Sequence, residues 1–253
     1  MTTGALIFAR NNEQIDYLAM AKWSAKNIER HLGIPTHIVT EVTDTAEGTN
    51  TRYFSDVGTV TWHNLNRMDA YRLSPWDRTL VLDADYVVAS DQLKSVLEAD
   101  QDFLAHRWAY DVTGCNNFEG LNYFGDNRMP MWWATVMMFR RSKQAELIFD
   151  SMQMIRDNWN HYCALYKNSK PTYRNDHALS IALGIVNGHT IDHAGIPWLL
   201  ASLTPEHKLT QLDTDRYRVD FVNAENKPRW IELRQDFHAM GKQQLGEIVA
   251  SPC

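Results

Sequence analysis

The sequence predicts an α/β domain with a mostly parallel central sheet flanked by helices. Three observations carry this. A short apolar run at residues 5–10 (ALIFAR), a stretch of helical spacing to Leu32 and a second run at residues 36–40 (THIVT) form a strand–helix–strand unit. Such a crossover makes its two strands parallel. The runs at residues 79–82 (TLVL) and 133–139 (WATVMMF) read as buried strands. Between and after them lie amphipathic stretches with helical periodicity.

In chain order, the first strand ends at the polar pair Asn11-Asn12, and the helix runs from about Glu13 to Leu32, with Gly33 and Pro35 closing it. Residues 41–60 are polar and turn-rich and predict an irregular section. Residues 66–73 predict a helix that Ser74-Pro75 stops. The strand at 79–82 ends abruptly at Asp83-Ala84-Asp85, and Tyr86-Val87-Val88 continues it. Ser90 and Asp91 are expected to cap a helix reaching Glu98. A strand is expected at 103–108, a loop rich in Gly, Asn and aromatics at 110–130, and helices at 144–159 and 176–183, the latter with Asn175 as its cap. Short strands and turns fill the last third, ending at residues 237–244 (FHAMGKQQ).

The 253 residues suit one large α/β domain or two small ones, and 44% hydrophobic residues supply a core. A net charge of −6 argues against a generic nucleic-acid-coating surface. Cys115, Cys163 and Cys253 are far apart, so no CxxC pair exists, and free thiols in a reducing compartment are expected. No stretch is long and apolar enough for a signal peptide or a membrane span, so no integral membrane segment is expected.

The acidic pair Asp83 and Asp85 carries the functional reading. In open α/β sheets ligands gather at the carboxyl ends of strands, and residues i and i+2 of a strand point the same way. The two carboxylates would then reach one hard cation, Mn²⁺ or Mg²⁺, of the kind that bridges diphosphate oxygens. The alternative is a polar strand end in which an Asp caps a turn.

Residues 67–73 (RMDAYRL) together with 83–88 (DADYVV) resemble the GT-A glycosyltransferases, a Rossmann-like nucleotide-diphospho-sugar transferase fold, and are similar to the family-8 type that includes glycogenin and lipopolysaccharide galactosyltransferases. Residues 133–139 are similar to that family's Asn-Ser-Gly-Val-Met-Leu-Phe-like strand in their apolar half, with Trp133, Ala134 and Thr135 replacing the polar half. Asn175-Asp176-His177 resembles the Asp-Gln helix start, with His177 in place of Gln. Residues 237–242 resemble the closing His-x-x-Gly-x-x-Lys motif through His238 and Gly241. The lysine comes early, at Lys242, and Gln244 stands at the family's lysine position.

The resemblance implies one GT-A domain over 1–253, with a nucleotide-binding half at 1–100. Residues 101–253 would form the acceptor half and hold the C-terminal metal and diphosphate motif. It implies a nucleotide-sugar donor, a UDP-sugar by family habit, and a glycan or lipopolysaccharide acceptor. Asp83, Asp85 and His238 would hold the metal. Arg67, Arg72, Gly241 and Lys242 would bind the diphosphate end of the donor, and Asp83, besides acting through the metal, would contact its ribose or sugar. Phe8, Ala9, Arg10 and Asn11 would cradle the base. Asp176, His177 and Arg67 would carry catalysis, and Trp108, Trp132 and Trp133, near Tyr110, would stack on the acceptor.

Each has a plainer alternative: a helix-surface ion pair for Arg67, a helix-start carboxylate for Asp176, and a buried neutral imidazole for His177. The others reduce to a strand-to-loop junction at Phe8–Asn11, core packing for the tryptophans, and tail residues for His238 and Lys242. Family likeness implies retention of configuration, but the sequence shows no convincing nucleophile and leaves stereochemistry open. The expected location is the cytoplasm, a host's cytoplasm if the chain is phage-encoded. Rival functions are a phage-type transferase acting on hydroxymethylated DNA and a non-catalytic sugar-nucleotide or carbohydrate-binding module. A nucleotidyltransferase should show a Gly-rich N-terminal loop, which Asn11-Asn12-Glu13 does not offer.

Overall fold

A computed structural model describes residues 1–41, 54–60, 67–168, 172–189 and 195–251. Its central sheet has six strands in the order β3-β2-β1-β4-β10-β6. These are β1 (Thr3–Ala9), β2 (Thr36–Glu41), β3 (Phe54–Val60), β4 (Arg78–Asp83), β6 (Phe103–His106) and β10 (Trp133–Arg140). The pairs β1–β2, β2–β3 and β1–β4 are parallel, and β10 runs antiparallel to both β4 and β6. The expected mostly parallel sheet is therefore present, with one reversed strand.

The apolar runs explain the placement. Every residue from Gly4 to Ala9, Thr79 to Leu82 and Trp133 to Phe139 is buried, as strands covered on both faces require. Helix α1 (Tyr17–Leu32) lays Leu18, Ala21, Trp23, Ala25, Ile28 and Leu32 into the core and ends at Gly33, whose φ of 71° forms the left-handed cap. Helix α2 (Ala70–Leu73) follows a 3-10 turn at Arg67–Asp69, and α3 is Lys94–Glu98. Helices α4 (Lys143–Asp157), α5 (Trp159–Leu165) and α6 (Asn175–Val186) follow β10, and α4 and α6 pack on each other.

A second sheet, β5-β15-β11-β7, is built from β5 (Tyr86–Val87), β7 (Ala109–Asp111), β11 (Leu200–Leu203) and β15 (Phe237–Ala239). A meander joins β12 (Lys208–Gln211), β13 (Tyr217–Val222) and β14 (Pro228–Leu233), and a small hairpin pairs β8 (Tyr123–Phe124) with β9 (Met129–Pro130). Helix α7 (Lys242–Ala250) closes the described chain and packs on α1.

Several expectations need correction. Helix α1 starts at Tyr17, not Glu13, because Asp16 accepts from the Ala19 amide and Asn12 folds residues 14–15 into an Asx turn. Residues 54–60 are a strand rather than irregular, and the remainder of the expected loop, 42–53, lies outside the described residues. Tyr86-Val87 does not continue β4. The chain turns at Ala84-Asp85 and enters the second sheet. Ser90 and Asp91 do not cap α3 with their side chains; the Ser90 hydroxyl instead donates to Asp236. The expected strand at 103–108 ends at His106, and Asn175 lies inside α6 instead of capping it. The C-terminal motif, expected among short strands and turns, opens a helix at Lys242. No helix among the described residues is long and apolar enough to cross a membrane.

Candidate active site at the switch point of the sheet

Strand order turns back on itself between β1 and β4, which is the topological switch point where open α/β sheets hold ligands. The register pairs Phe8 with Asp83 there, at the carboxyl ends of both strands. A cleft of about 500 Å³ opens at this point. It is lined by Phe8, Arg67, Asp83, Asp85, Trp133, Asp176, His238 and Lys242 from the sequence reading.

The acidic pair converges by a route the sequence argument did not foresee. Asp83 is the last residue of β4, while Asp85 sits in the turn beyond it, so the two are not successive same-face residues of one strand. What brings them together is the change of sheet. The β5 strand that follows pairs with β15, with Tyr86 opposite His238, and the Asp85 carbonyl accepts from the Ala239 amide. One donor atom from each of Asp83, Asp85 and His238 lies within 4.8 Å of the other two.

Each carboxylate is matched by cations of the chain. Arg67 pairs with Asp83. His238 Nε2 is 3.6 Å, and Lys242 Nζ 3.0 Å, from Asp85 Oδ2. Burial pushes the Asp85 carboxyl up, but His238 and Lys242 outweigh it and hold it well below the usual carboxylate range. Burial lowers the Arg67 guanidinium against the pull of Asp85, Asp176 and Tyr173. Burial likewise works against the Lys242 ammonium, yet Asp85 raises it on balance. The guanidinium carbon of Arg67 also lies 5.6 Å from the centre of the Phe8 ring.

Asp176 stands on the opposite wall. Its Oδ1 accepts from the Ala134 amide of β10 at 2.9 Å and its Oδ2 from Arg174 at 2.8 Å. Five side-chain polar atoms on cleft residues are buried with no hydrogen-bond partner among the described residues: Arg67 Nε, Trp133 Nε1, Tyr173 Oη, Asn175 Oδ1 and His238 Nδ1. Buried polar groups are ordinarily paired, so a polar ligand is the natural complement. Sequence reasoning missed Tyr17, Thr135, Tyr173, Arg174, Asn175 and Met240, which also line the cleft. Only the nearness of Tyr173 to Asn175 before the Asp176 helix offered a signal.

Other candidates lie elsewhere. His177 does not line the cleft. It is buried in a stack between Phe124, at 4.8 Å between ring centroids, and Trp159, at 6.1 Å. The helix turns its ring away from the wall that Asp176 forms. Arg72 is exposed and pairs with Asp69 at 3.0 Å. Gly241 is the residue before α7, with φ −79°, so its backbone needs no glycine, and it does not line the cleft. Gln244 bridges the Leu209 amide and the Pro205 carbonyl. Ala9 is buried in β1. Arg10 and Asn11 line an adjoining depression of about 760 Å³ that shares Phe8 and Tyr17 with the cleft.

The tryptophans divide. Trp133 faces the cleft, while Trp108 and Trp132 line a separate cavity of about 510 Å³ with Arg107, Met129, Leu183 and Pro197. There Arg107 stacks on Trp108 at 3.9 Å and donates to the Met131 carbonyl. The Tyr110 hydroxyl accepts from Gln235 and lines neither space.

No protein-family profile matches the chain, and no curated protein matches it. Among solved structures it is similar to the apo glycosyltransferase GlyE of Streptococcus pneumoniae TIGR4, with 16% identity, a TM-score of 0.42, and coverage of 72% of this chain and 43% of that one. It is also similar to the galactosyltransferase LgtC in complex with donor and acceptor sugar analogs, with 16% identity, a TM-score of 0.43, and coverage of 72% and 70%. Mouse xyloside xylosyltransferase 1 in its apo form gives 11% identity, a TM-score of 0.48, and coverage of 81% and 88%. The chain thus spans less than half the length of the pneumococcal protein and most of the length of the other two.

Proposed function

We propose that the chain is a metal-dependent glycosyltransferase that moves a sugar from a nucleotide diphospho-sugar, in the first instance a UDP-sugar, to an acceptor hydroxyl. The observation that carries the reading is the meeting of two carboxylates, an imidazole, a lysine and an arginine in one cleft at the switch point. The donor set fits a hard or borderline divalent cation. Ligand distances of about 2.1 Å place opposed ligands about 4.2 Å apart, so a trio already within 4.8 Å closes on an ion with small side-chain shifts.

Asp83, Asp85 and His238 would hold that ion, Mn²⁺ or Mg²⁺, which supplies positive charge against the diphosphate leaving group. Imidazole ligation favours Mn²⁺ of the two. Lys242 adds a mobile positive charge at the same end. Arg67 offers further donors on the Asp83 side, including the unpartnered Nε. Asp176, fixed by Ala134 and Arg174, keeps acceptor capacity for hydroxyls of the donor sugar. The depression at Arg10 and Asn11 leaves room for the nucleoside. In the transfer, the acceptor oxygen bonds to the anomeric carbon, the bond from that carbon to the diphosphate oxygen breaks with its electron pair leaving on the diphosphate, and the hydroxyl proton passes to a departing phosphate oxygen or to water.

The test is release of nucleoside diphosphate from UDP-glucose and UDP-galactose with Mn²⁺, alone and with glycan or hydroxymethylated-DNA acceptors. Asp85→Asn should lower turnover at least about 100-fold while leaving far-UV circular dichroism unchanged. Unchanged turnover in this variant would remove the metal assignment. Donor binding by the wild type with no release under any condition would instead make the chain a binding module.

A further inference from the structure

An imidazole can serve the cleft only if its ring is held with the correct nitrogen forward. His238 presents Nε2 to Asp85, which leaves Nδ1 at the rear. That atom is buried and has no hydrogen-bond partner among the described residues. Ligating histidines ordinarily donate from the rear nitrogen to an oxygen, which fixes both tautomer and ring plane.

The second sheet offers one oxygen in the right place. Strands β11 and β15 are parallel, and their register sets Ser202 directly beside His238. Registered neighbours on paired strands project to the same face, with the strands about 4.8 Å apart. Ser202 is fully buried, and its Oγ also lacks a partner among the described residues. The two side chains are not hydrogen-bonded to each other in this structure, and two unpaired buried polar atoms on register-paired residues carry a desolvation cost that one hydrogen bond, reached by side-chain rotation, would relieve. The row extends further. Asp111 on β7 is the next register partner of Ser202, and its carboxylate Oδ2 is committed to the Thr113 hydroxyl at 2.7 Å and the Asn116 amide at 2.9 Å.

We propose that Ser202 is the positioning residue of His238: its hydroxyl accepts the Nδ1 proton and holds Nε2 toward the ion shared with Asp83 and Asp85. This rests on the reading of that trio as a metal site. A buried serine that merely fills space predicts unchanged Mn²⁺ affinity and an equal or higher melting temperature on replacement by alanine, which fills nearly the same volume without a hydroxyl to desolvate.

The experiment measures Mn²⁺ affinity of the full chain without nucleotide, by electron paramagnetic resonance of the free ion, beside thermal melting of the metal-free protein. Ser202→Ala should weaken Mn²⁺ binding about 10- to 100-fold and, because it leaves the buried Nδ1 unpaired, melt below the wild type without metal. Ser202→Thr, which keeps the hydroxyl, should bind within a few-fold of the wild type. Wild-type affinity in Ser202→Ala, with binding lost in Asp85→Asn, overturns the role of Ser202 and leaves the metal site standing. Ser202→Thr as weak as Ser202→Ala at an unchanged melting temperature also overturns it. A wild-type chain that binds no Mn²⁺ overturns both.

Discussion

At the scale of single residues, His238 is the most informative side chain of the cleft, because it distinguishes a nitrogen-containing site from an all-oxygen one. Mg²⁺ prefers oxygen and keeps its water, whereas Mn²⁺ accepts imidazole. His238→Ala should therefore reduce Mn²⁺-supported turnover several-fold more than Mg²⁺-supported turnover. Titrating both metals against the variant checks this, and equal losses would count against imidazole ligation. Asp83 and Asp85 were legible in the sequence because a buried strand ending in two carboxylates needs compensation by positive charge. In the structure that compensation comes from protein cations, Arg67 and Lys242. His177 falls outside the cleft although it neighbours Asp176 in sequence. Successive helix residues point about 100° apart, so Asp176 on the cleft wall sends His177 into the core.

At the scale of elements, β10 and α6 are fastened where the cleft wall begins. The Ser180 hydroxyl accepts from the Trp132 amide at 2.7 Å and donates to the Asp176 carbonyl at 2.6 Å, while the Asp176 side chain takes the Ala134 amide. Ser180→Ala strips the Trp132 amide of its partner in a buried place. Chemical denaturation should show a loss of about 1–3 kcal/mol, a range that a surface serine would not reach. The strands β1, β4 and β10 were readable because burial on both faces leaves a run of apolar residues with no alternation. β3 and α7 were not. The β3 segment (FSDVGTV) spaces Phe54, Val57 and Val60 three apart, with neither an apolar run nor strand alternation, and α7 opens directly after a glycine, with no side-chain cap to mark its start. The break between β4 and β5 was invisible for a different reason. An apolar stretch interrupted by Asp-Ala-Asp looks the same whether the chain stays in its sheet or leaves it.

At the scale of the whole molecule, burial of titratable groups away from the cleft makes opposed contributions to the pH dependence of stability. Burial lowers the His106 imidazole to about 4, although its contact with the Trp198 carbonyl resists this. The unfolded chain then binds a proton between pH 6.5 and about 4 that the folded chain refuses, so this group's contribution is complete above 6.5 and drains away as pH falls through 4. Asp236, raised to about 6 mainly by burial, runs the other way over nearly the same range. The two slopes offset each other in the native protein. His106→Gln removes only the first. Its stability relative to wild type should rise by about 2–3 kcal/mol between pH 7 and pH 4.5. Denaturant melts at the two pH values check this, and a pH-independent difference would contradict it.

The strand that brings His238 beside Asp85 lies inside the second sheet, between β5 and β11, yet it is made of residues 237–239. A nascent chain emerging from the ribosome can build β1, α1 and β4 early, but its acid pair must wait through some 150 further residues for its imidazole. Contacts so distant in sequence form late and slowly. The cleft is thus incomplete until residues 238 and 242 have been made, and any product of premature termination before residue 237 carries the acids without the histidine and the lysine.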